Sequence, residues 1–275
     1  MTGIEKTMTL SNTGAERRHT RSGRRSPLAT VALIMIGLLS TGGAYALFTT
    51  SATAETTAAT DQVADGGKLF AANCATCHGM ALQGSSQAPT LIGVGAASVD
   101  FQVATGRMPC AATGPQCEVK PPQFTAAQVS ALAAYVASRG AGPAIPDDRY
   151  LQGDGDAAIG AELFRVNCAM CHNVAGAGGA LTQGKYAPAI NGTAAVHVYE
   201  AMITGPQNMP VFNEQNISPQ EKADIITYLK FLENTPSVGG FGLGDIGPVS
   251  EGLFIWIFGL GAIIAITVWL TARSN

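Results

Sequence analysis

The sequence predicts an all-α chain in which two tandem copies of one small helical domain lie between two apolar segments. Three observations carry that reading. The chain is 47% hydrophobic and only 13% charged, where an ordinary soluble domain carries about 25% charged residues. Long uncharged runs lie near both ends, and one cysteine-containing pattern occurs twice between them. A net charge of −3 argues against a nucleic-acid partner, because binding phosphates needs a basic stripe.

Residues 1–25 form a basic tail, with Lys6, Arg17, Arg18, Arg21, Arg24 and Arg25 against Glu5 and Glu16. An uncharged segment, 26–54, follows. Its apolar heart, Leu28–Phe48, makes a helix roughly 31 Å long, enough to cross the hydrocarbon core. A second reading stays open: Leu28–Leu39 has the length of a signal-peptide core, with Ala44-Tyr45-Ala46 or Ala52-Thr53-Ala54 as cleavage site. At the other end, 252–272 is uncharged, carries Trp256 and Trp269 near its ends, and is followed by Arg273, the marks of a spanning helix. Basic flanks on the outer sides put both termini in the cytoplasm, unless the first segment is cleaved. Either way the intervening chain lies outside the cell membrane.

The exported part contains the repeat. Gly67-Lys-Leu-Phe-Ala-Ala-Asn-Cys74-Ala-Thr-Cys77-His78 is matched by Gly160-Ala-Glu-Leu-Phe-Arg-Val-Asn-Cys168-Ala-Met-Cys171-His172. Each copy continues to an Ala-Pro pair (Ala88-Pro89, Ala187-Pro188), then a Met-Pro pair (Met108-Pro109, Met209-Pro210), then a capped helix. Thr125 with Gln128 and Ser218 with Glu221 have capping-box spacing, the second with Pro219 at the first helical position. Val129, Leu132, Tyr135, Val136 and Ile225, Ile226, Tyr228, Leu229 follow at helical spacing. The domains run over 61–140 and 156–234. A Pro-, Gly- and Asp-rich linker, 141–155, separates them, and a Gly-rich tether, 235–251, leads to the last segment.

The chemistry lies in the two Cys-x-x-Cys-His motifs. Two cysteines one helical turn apart can both reach the vinyl groups of one haem, and the adjacent histidine then turns its ring to the iron. Cys74, Cys77, Cys168 and Cys171 are the covalent attachment points for two haem c groups, and His78 and His172 the proximal iron ligands. A porphyrin also explains how domains so poor in aromatics have a core. Zinc needs a fourth ligand that neither copy supplies beside its motif. A thioredoxin-like pair would lack the repeated histidine and the later methionine. Met108 and Met209, at matching places before the last helix, are the distal ligands. A thioether raises the haem potential and closes the iron to outside ligands, which suits electron transfer. His197 reads as a surface or structural residue.

Two cysteines remain. Met108 stands eight positions further from its helix cap than Met209 does, and Cys110 through Cys117 are eight residues. They read as the ends of an inserted loop beside a haem ligand, joined by a disulfide outside the cytoplasm. Cross-linked so close to Met108, the loop is expected to clamp the first haem's methionine; the alternative is a docking surface that the disulfide keeps folded.

Twin Cys-x-x-Cys-His domains with an N-terminal apolar segment and a C-terminal anchor resemble the dihaem cytochrome c subunit of the actinobacterial quinol–cytochrome c reductase, the cytochrome bc complex. The resemblance covers nearly the whole chain. It implies two class I cytochrome c domains, and a subunit that is an electron carrier within a proton-translocating oxidoreductase, with no catalytic residue of its own. It further implies a cytochrome b subunit and a Rieske iron–sulfur subunit as partners. Electrons would run from the Rieske protein toward the copper-bearing subunit of a cytochrome c oxidase. A dihaem subunit of another oxidase or dehydrogenase is the nearest alternative. A dihaem peroxidase would need an openable iron, whereas both copies offer methionine. Residues 61–233 hold nine basic against 14 acidic residues, a balance that suits a permanent assembly better than electrostatic steering of a mobile carrier.

Overall fold

The computed structural model describes residues 27–112, 114–235 and 248–272. The basic tail, most of the Gly-rich tether and Arg273 lie outside the described residues. The chain divides into two compact units, Met1–Thr56 and Thr57–Asn275. Within the first, Pro27–Leu47 is helical, exposed along its length, and long and apolar enough to cross a membrane. It is the start of helix α1, Pro27–Asn73, which extends through the residues preceding the first cysteine motif.

In the second unit each repeat builds the same set of helices. The first uses the end of α1, then α2 (Ala75–His78), α3 (Gly95–Ala104) and α4 (Ala126–Ala137). The second uses α5 (Ala157–Asn167), α6 (Ala169–His172), α7 (Ala195–Thr204) and α8 (Pro219–Asn234). Both capping boxes form: Thr125 N donates to Gln128 Oε1 at 2.9 Å, and Ser218 N to Glu221 Oε2 at 2.7 Å. Asp156 caps α5 by accepting from the backbone N–H of Ala158 and Ile159, which ends the linker. A two-residue antiparallel pair, β1 (Gly179–Ala180) with β2 (Tyr186–Ala187), is the sheet among the described residues.

The first and last helices of each repeat cross at a glycine. A Cβ on Gly66 would lie 2.0 Å from the Ala131 carbonyl oxygen, and one on Gly160 would lie 2.0 Å from that of Asp224. No side chain fits there, so the backbones touch. The repeat reading begins its first copy at Gly67, but the counterpart of Gly160 is Gly66, eight residues before the first cysteine in each copy. Above the crossings Phe70 packs on Tyr135 and Phe164 on Tyr228. Phe70, Leu82, Val103, Leu132 and Val136 form the first core. Phe164, Tyr199, Met202, Ile225 and Leu229 form the second.

The repeats also pack on one another, α3 against α7. Beyond them, Ser250–Ala272 is a second helix long and apolar enough to span a membrane, and its large side chains, Trp256 and Trp269 included, are exposed. It comprises α9 (Pro248–Phe254), a π-helical stretch at Ile255–Leu260 and α10 (Gly261–Ala272).

Candidate functional site

Each cysteine motif folds as one short helical turn begun by its first cysteine. Cys74 (φ −121°, ψ −31°) and Cys168 (φ −120°, ψ −37°) have nearly the same backbone, and each carbonyl accepts from the histidine N–H four residues on, at 3.0 and 2.9 Å. That closure puts both cysteines and the histidine of each motif on one turn. The chain leaves the turn through a residue of positive φ, Gly79 in one copy (φ 77°, ψ 149°) and Asn173 in the other (φ 66°, ψ 160°), a backbone region that favours glycine and is strained for asparagine. Burial pushes the thiols of Cys74 and Cys168 up to about 11, with a smaller contribution from Cys77 and Cys171.

Both histidines are oriented in the same way. His78 Nδ1 lies 2.9 Å from the Pro89 carbonyl oxygen, and His172 Nδ1 lies 2.9 Å from that of Pro188. A carbonyl only accepts, so Nδ1 carries the proton and donates it, leaving Nε2 with a free lone pair. Burial lowers the pKa of His172 from its ordinary value, an effect the Pro188 carbonyl partly opposes, and this keeps the ring neutral. A neutral imidazole whose other nitrogen is held by a carbonyl is what a metal requires of a histidine. The Ala-Pro pairs of the sequence repeat are these orienting groups.

In the second repeat Cys168, Cys171, His172 and Met209 line one cavity of about 490 Å³. Its walls are largely apolar, with Phe164, Met202 and Phe212 among them. Two thiols, an imidazole with a free nitrogen and a thioether around an apolar cavity of that size fit a haem attached through thioethers. In the first repeat Cys74 and Met108 both pack against the core of Phe70 and Leu82.

With this geometry in view, the comparisons with known proteins decide the family. The family described as "Cytochrome c" matches residues 63–140, and that described as "Cytochrome C oxidase, cbb3-type, subunit III" matches 155–229. Over nearly the full chain, the cytochrome bc1 complex cytochrome c subunit of Corynebacterium efficiens is 42% identical, covering 96% of this chain and 95% of its own. That of Corynebacterium diphtheriae is 40% identical over 95% of this chain and 100% of its own. That of Mycobacterium tuberculosis is 41% identical over 95% and 96%. The chain belongs to the family of cytochrome c subunits of the cytochrome bc1 complex. It is an electron-transfer cytochrome with two cytochrome c domains that bind haem c, and the whole-length match separates it from the oxidase subunit that its second domain also resembles.

Three features of the cytochrome c subunit are not visible in its sequence pattern. First, of the two readings of His197, surface or structural, the structure shows the structural one, and its partners lie in both domains. Its Nδ1 lies 3.1 Å from Glu200 Oε2 and 3.7 Å from Asp100 Oδ2, so it joins α7 of the second domain to α3 of the first. Glu200 is fully buried, and burial is what pushes its carboxyl up to about 7, with the Asp100 carboxylate adding to the rise and His197 opposing it.

Second, the cavity of the second domain has a wall from the first, to which Phe101, Arg107, Gln116 and Val119 contribute. Third, Cys110 and Cys117 are bonded to each other as their spacing suggests, but the spacing does not show that Gln116 and Cys117 reach across the domain boundary. Gln116 Nε2 donates to the Tyr186 carbonyl at 3.0 Å, its Oε1 accepts from Tyr186 N at 3.0 Å, and Gln207 Nε2 donates to the Cys117 carbonyl at 3.3 Å. These contacts run to the second domain, next to Met209, so the loop has contacts beyond those of the expected clamp on Met108. Pattern could not reveal this, since nothing in the spacing of the cysteines says what they face.

Proposed function

We propose that this subunit carries electrons from a Rieske iron–sulfur protein toward the copper-bearing subunit of a cytochrome c oxidase, through two covalently held haem c groups. Cys74 and Cys77 hold one and Cys168 and Cys171 the other; His78 and His172 are the proximal ligands, Met108 and Met209 the distal ones. A bound haem c supplies one-electron iron chemistry at a potential raised by its thioether ligand. The chain's own residues do the rest. The Pro89 and Pro188 carbonyls hold the imidazoles as neutral donors, the cysteines fix the ring, and the apolar walls keep out water and oxygen. Together these leave the iron able to change charge with little rearrangement and unable to bind substrate.

Assembly follows from the two apolar helices. Their side chains are exposed along Pro27–Leu47 and Ser250–Ala272, and lipid or the cytochrome b subunit is what covers them. The haem domains then lie on the extracytoplasmic side with both termini cytoplasmic, or only the C-terminus if the first segment is a cleaved signal.

The observation that carries the reading is the doubled histidine–proline hydrogen bond, identical at 2.9 Å in the two motifs. The test is replacement of Met108 or Met209 by His in the purified complex. Haem stays attached, two per chain by pyridine haemochrome, while the potential of the altered site falls because imidazole stabilises ferric iron. If neither substitution moves a potential or the ferric methionine–iron band, the ligand assignment is wrong. Co-purification of a Rieske protein, cytochrome b and oxidase subunits with the tagged chain tests the partners.

A further inference from the structure

We infer that Arg107, a residue of the first domain, belongs to the haem site of the second, where its guanidinium pairs with a haem propionate. The inference rests on the two-haem reading above and asks what the second cavity does with the cofactor's negative charge.

A haem carries two carboxylates, and carboxylates entering an apolar cavity need cations or hydrogen-bond donors. Among the described residues that line the second cavity there is no Asp or Glu, and the side chains with a fixed positive charge are Arg107 and Lys185. Lys185 Nζ donates to the neutral Asn208 Oδ1 at 3.1 Å, which uses one of its three N–H groups, and it has no carboxylate partner within 4.0 Å among the described residues. Arg107 is half-buried, and among the described residues it has no carboxylate partner within 4.0 Å. Its guanidinium carbon lies over the Phe101 ring, 4.6 Å from the centroid. That contact gives its N–H groups no anion, and a guanidinium fork suits a planar, bidentate acceptor. A half-buried guanidinium with no anion is costly to keep, and an anion supplied by the cofactor removes that cost.

The placement is held from both sides of the domain boundary. Gln116 grips the Tyr186 backbone through two hydrogen bonds, and His197 holds Asp100 near Phe101, the ring under Arg107. Phe101 itself meets the His197 ring edge-on at 6.4 Å. The cation is thus delivered from α3 and the segment after it into a cavity whose thiols, imidazole and thioether all come from the other domain.

Charge sets the direction of the effect. Ferric haem is one unit more positive than ferrous, so a cation at its edge favours the reduced form, and removing the cation favours the oxidised one. In the purified complex, Arg107→Gln is expected to raise the ferric-to-ferrous ratio of the second haem about tenfold at a fixed potential, a fall of 59 mV for a one-electron couple. Arg107→Lys is expected to keep most of the charge effect while losing the bidentate geometry. Spectroelectrochemical titration reads both haems, and Met209→His identifies the second by moving it.

Arg107 precedes Met108, so a purely local role predicts the opposite pattern, with the first haem shifting more than the second. That result, or an unmoved second haem in Arg107→Gln, overturns the inference. Pyridine haemochrome on the unsubstituted complex keeps the underlying reading separate: fewer than two haems per chain overturns that reading, whatever Arg107 does.

Discussion

In the first domain Phe70 packs on Tyr135 with ring centroids 5.4 Å apart, and in the second Phe164 packs on Tyr228 at 5.5 Å. Asn73 and Asn167 each donate to the carbonyl four residues back at 2.9 Å. The helix crossings, caps and histidine–proline hydrogen bonds correspond in the same way. The interiors do not. Val129, buried in the first domain, stands four residues after its cap; Lys222, equally buried, stands four after the cap of the second. Ala131 is replaced by Asp224 at the helix crossing. Among the described residues Glu200, Lys222 and Asp224 are the buried charged side chains, and all belong to the second domain.

Each of those charges has a use. Lys222 Nζ donates to the Ile217 carbonyl and lies over the Tyr199 ring, and Asp224 Oδ1 accepts from Asp156 N at 2.8 Å where the linker enters α5. Glu200 meets His197 at the domain boundary. The first domain is therefore the plainer copy of the skeleton. The second has taken on the linker's end and the face toward its neighbour, and the first has taken on the disulfide-closed insertion that meets it. The two copies keep the cysteine turn, the histidine–proline hydrogen bond and the helix crossing, and differ in their buried charges and in the insertion.

The largest effect expected is at the skeleton itself. Gly66→Ala or Gly160→Ala puts a methyl where a carbonyl oxygen already lies 2.0 Å away, and each is expected to cost its own domain about 3 kcal/mol. Thermal unfolding followed at the haem bands should show one domain loosened in each variant. Equal loss in both domains from one substitution would break the picture of two separate crossings.

A smaller effect belongs to the second domain alone. Glu200 has its carboxyl raised to about 7 by burial, so the folded state favours the protonated form. Stability from this group is complete below its ordinary value near 4.5 and is lost as pH rises through about 7. Asp100 and His197 are the titratable groups that face it. Between those pH values the second domain should lose on the order of 2 kcal/mol, and Glu200→Gln should flatten that slope. A slope that survives the substitution would assign the pH dependence to other groups.

The smallest effect tests equivalence. Thr125→Ala and Ser218→Ala each remove one capping box, and each should cost about 1 kcal/mol. Chemical denaturation resolved by domain checks that the two costs agree. A cost twice as large in one domain would show that the helices, alike in outline, carry different loads.

Much of this was legible from the residues. The doubled motif, the matching Met-Pro pairs and the capping boxes are local signals whose chemistry needs only spacing. One turn of helix brings two cysteines and a histidine together wherever it occurs, and Thr125 or Ser218 can cap a helix whatever lies around it. The two apolar runs are equally local, because a length of uncharged chain meets the bilayer condition by itself. Where local rules fell short, the cause was a partner distant in sequence. Gly66 rather than Gly67 lies at the crossing because Ala131 is there, and Lys222 is buried at a position whose counterpart is Val129.

The sequence alone determined what this protein is made of: two Cys-x-x-Cys-His turns, their candidate ligands, two apolar helices and a cysteine pair. Tertiary structure decided how those parts share work. Only packing of α3 on α7 makes His197 a junction between Asp100 and Glu200, turns Gln116 toward Tyr186, and brings Arg107 to the wall of a cavity in the other domain. The physical reason is range. Helix turns and caps are set by neighbours within four residues. Contacts across a domain boundary depend on surfaces assembled from residues 70 or 90 positions apart, and no spacing rule reaches that far.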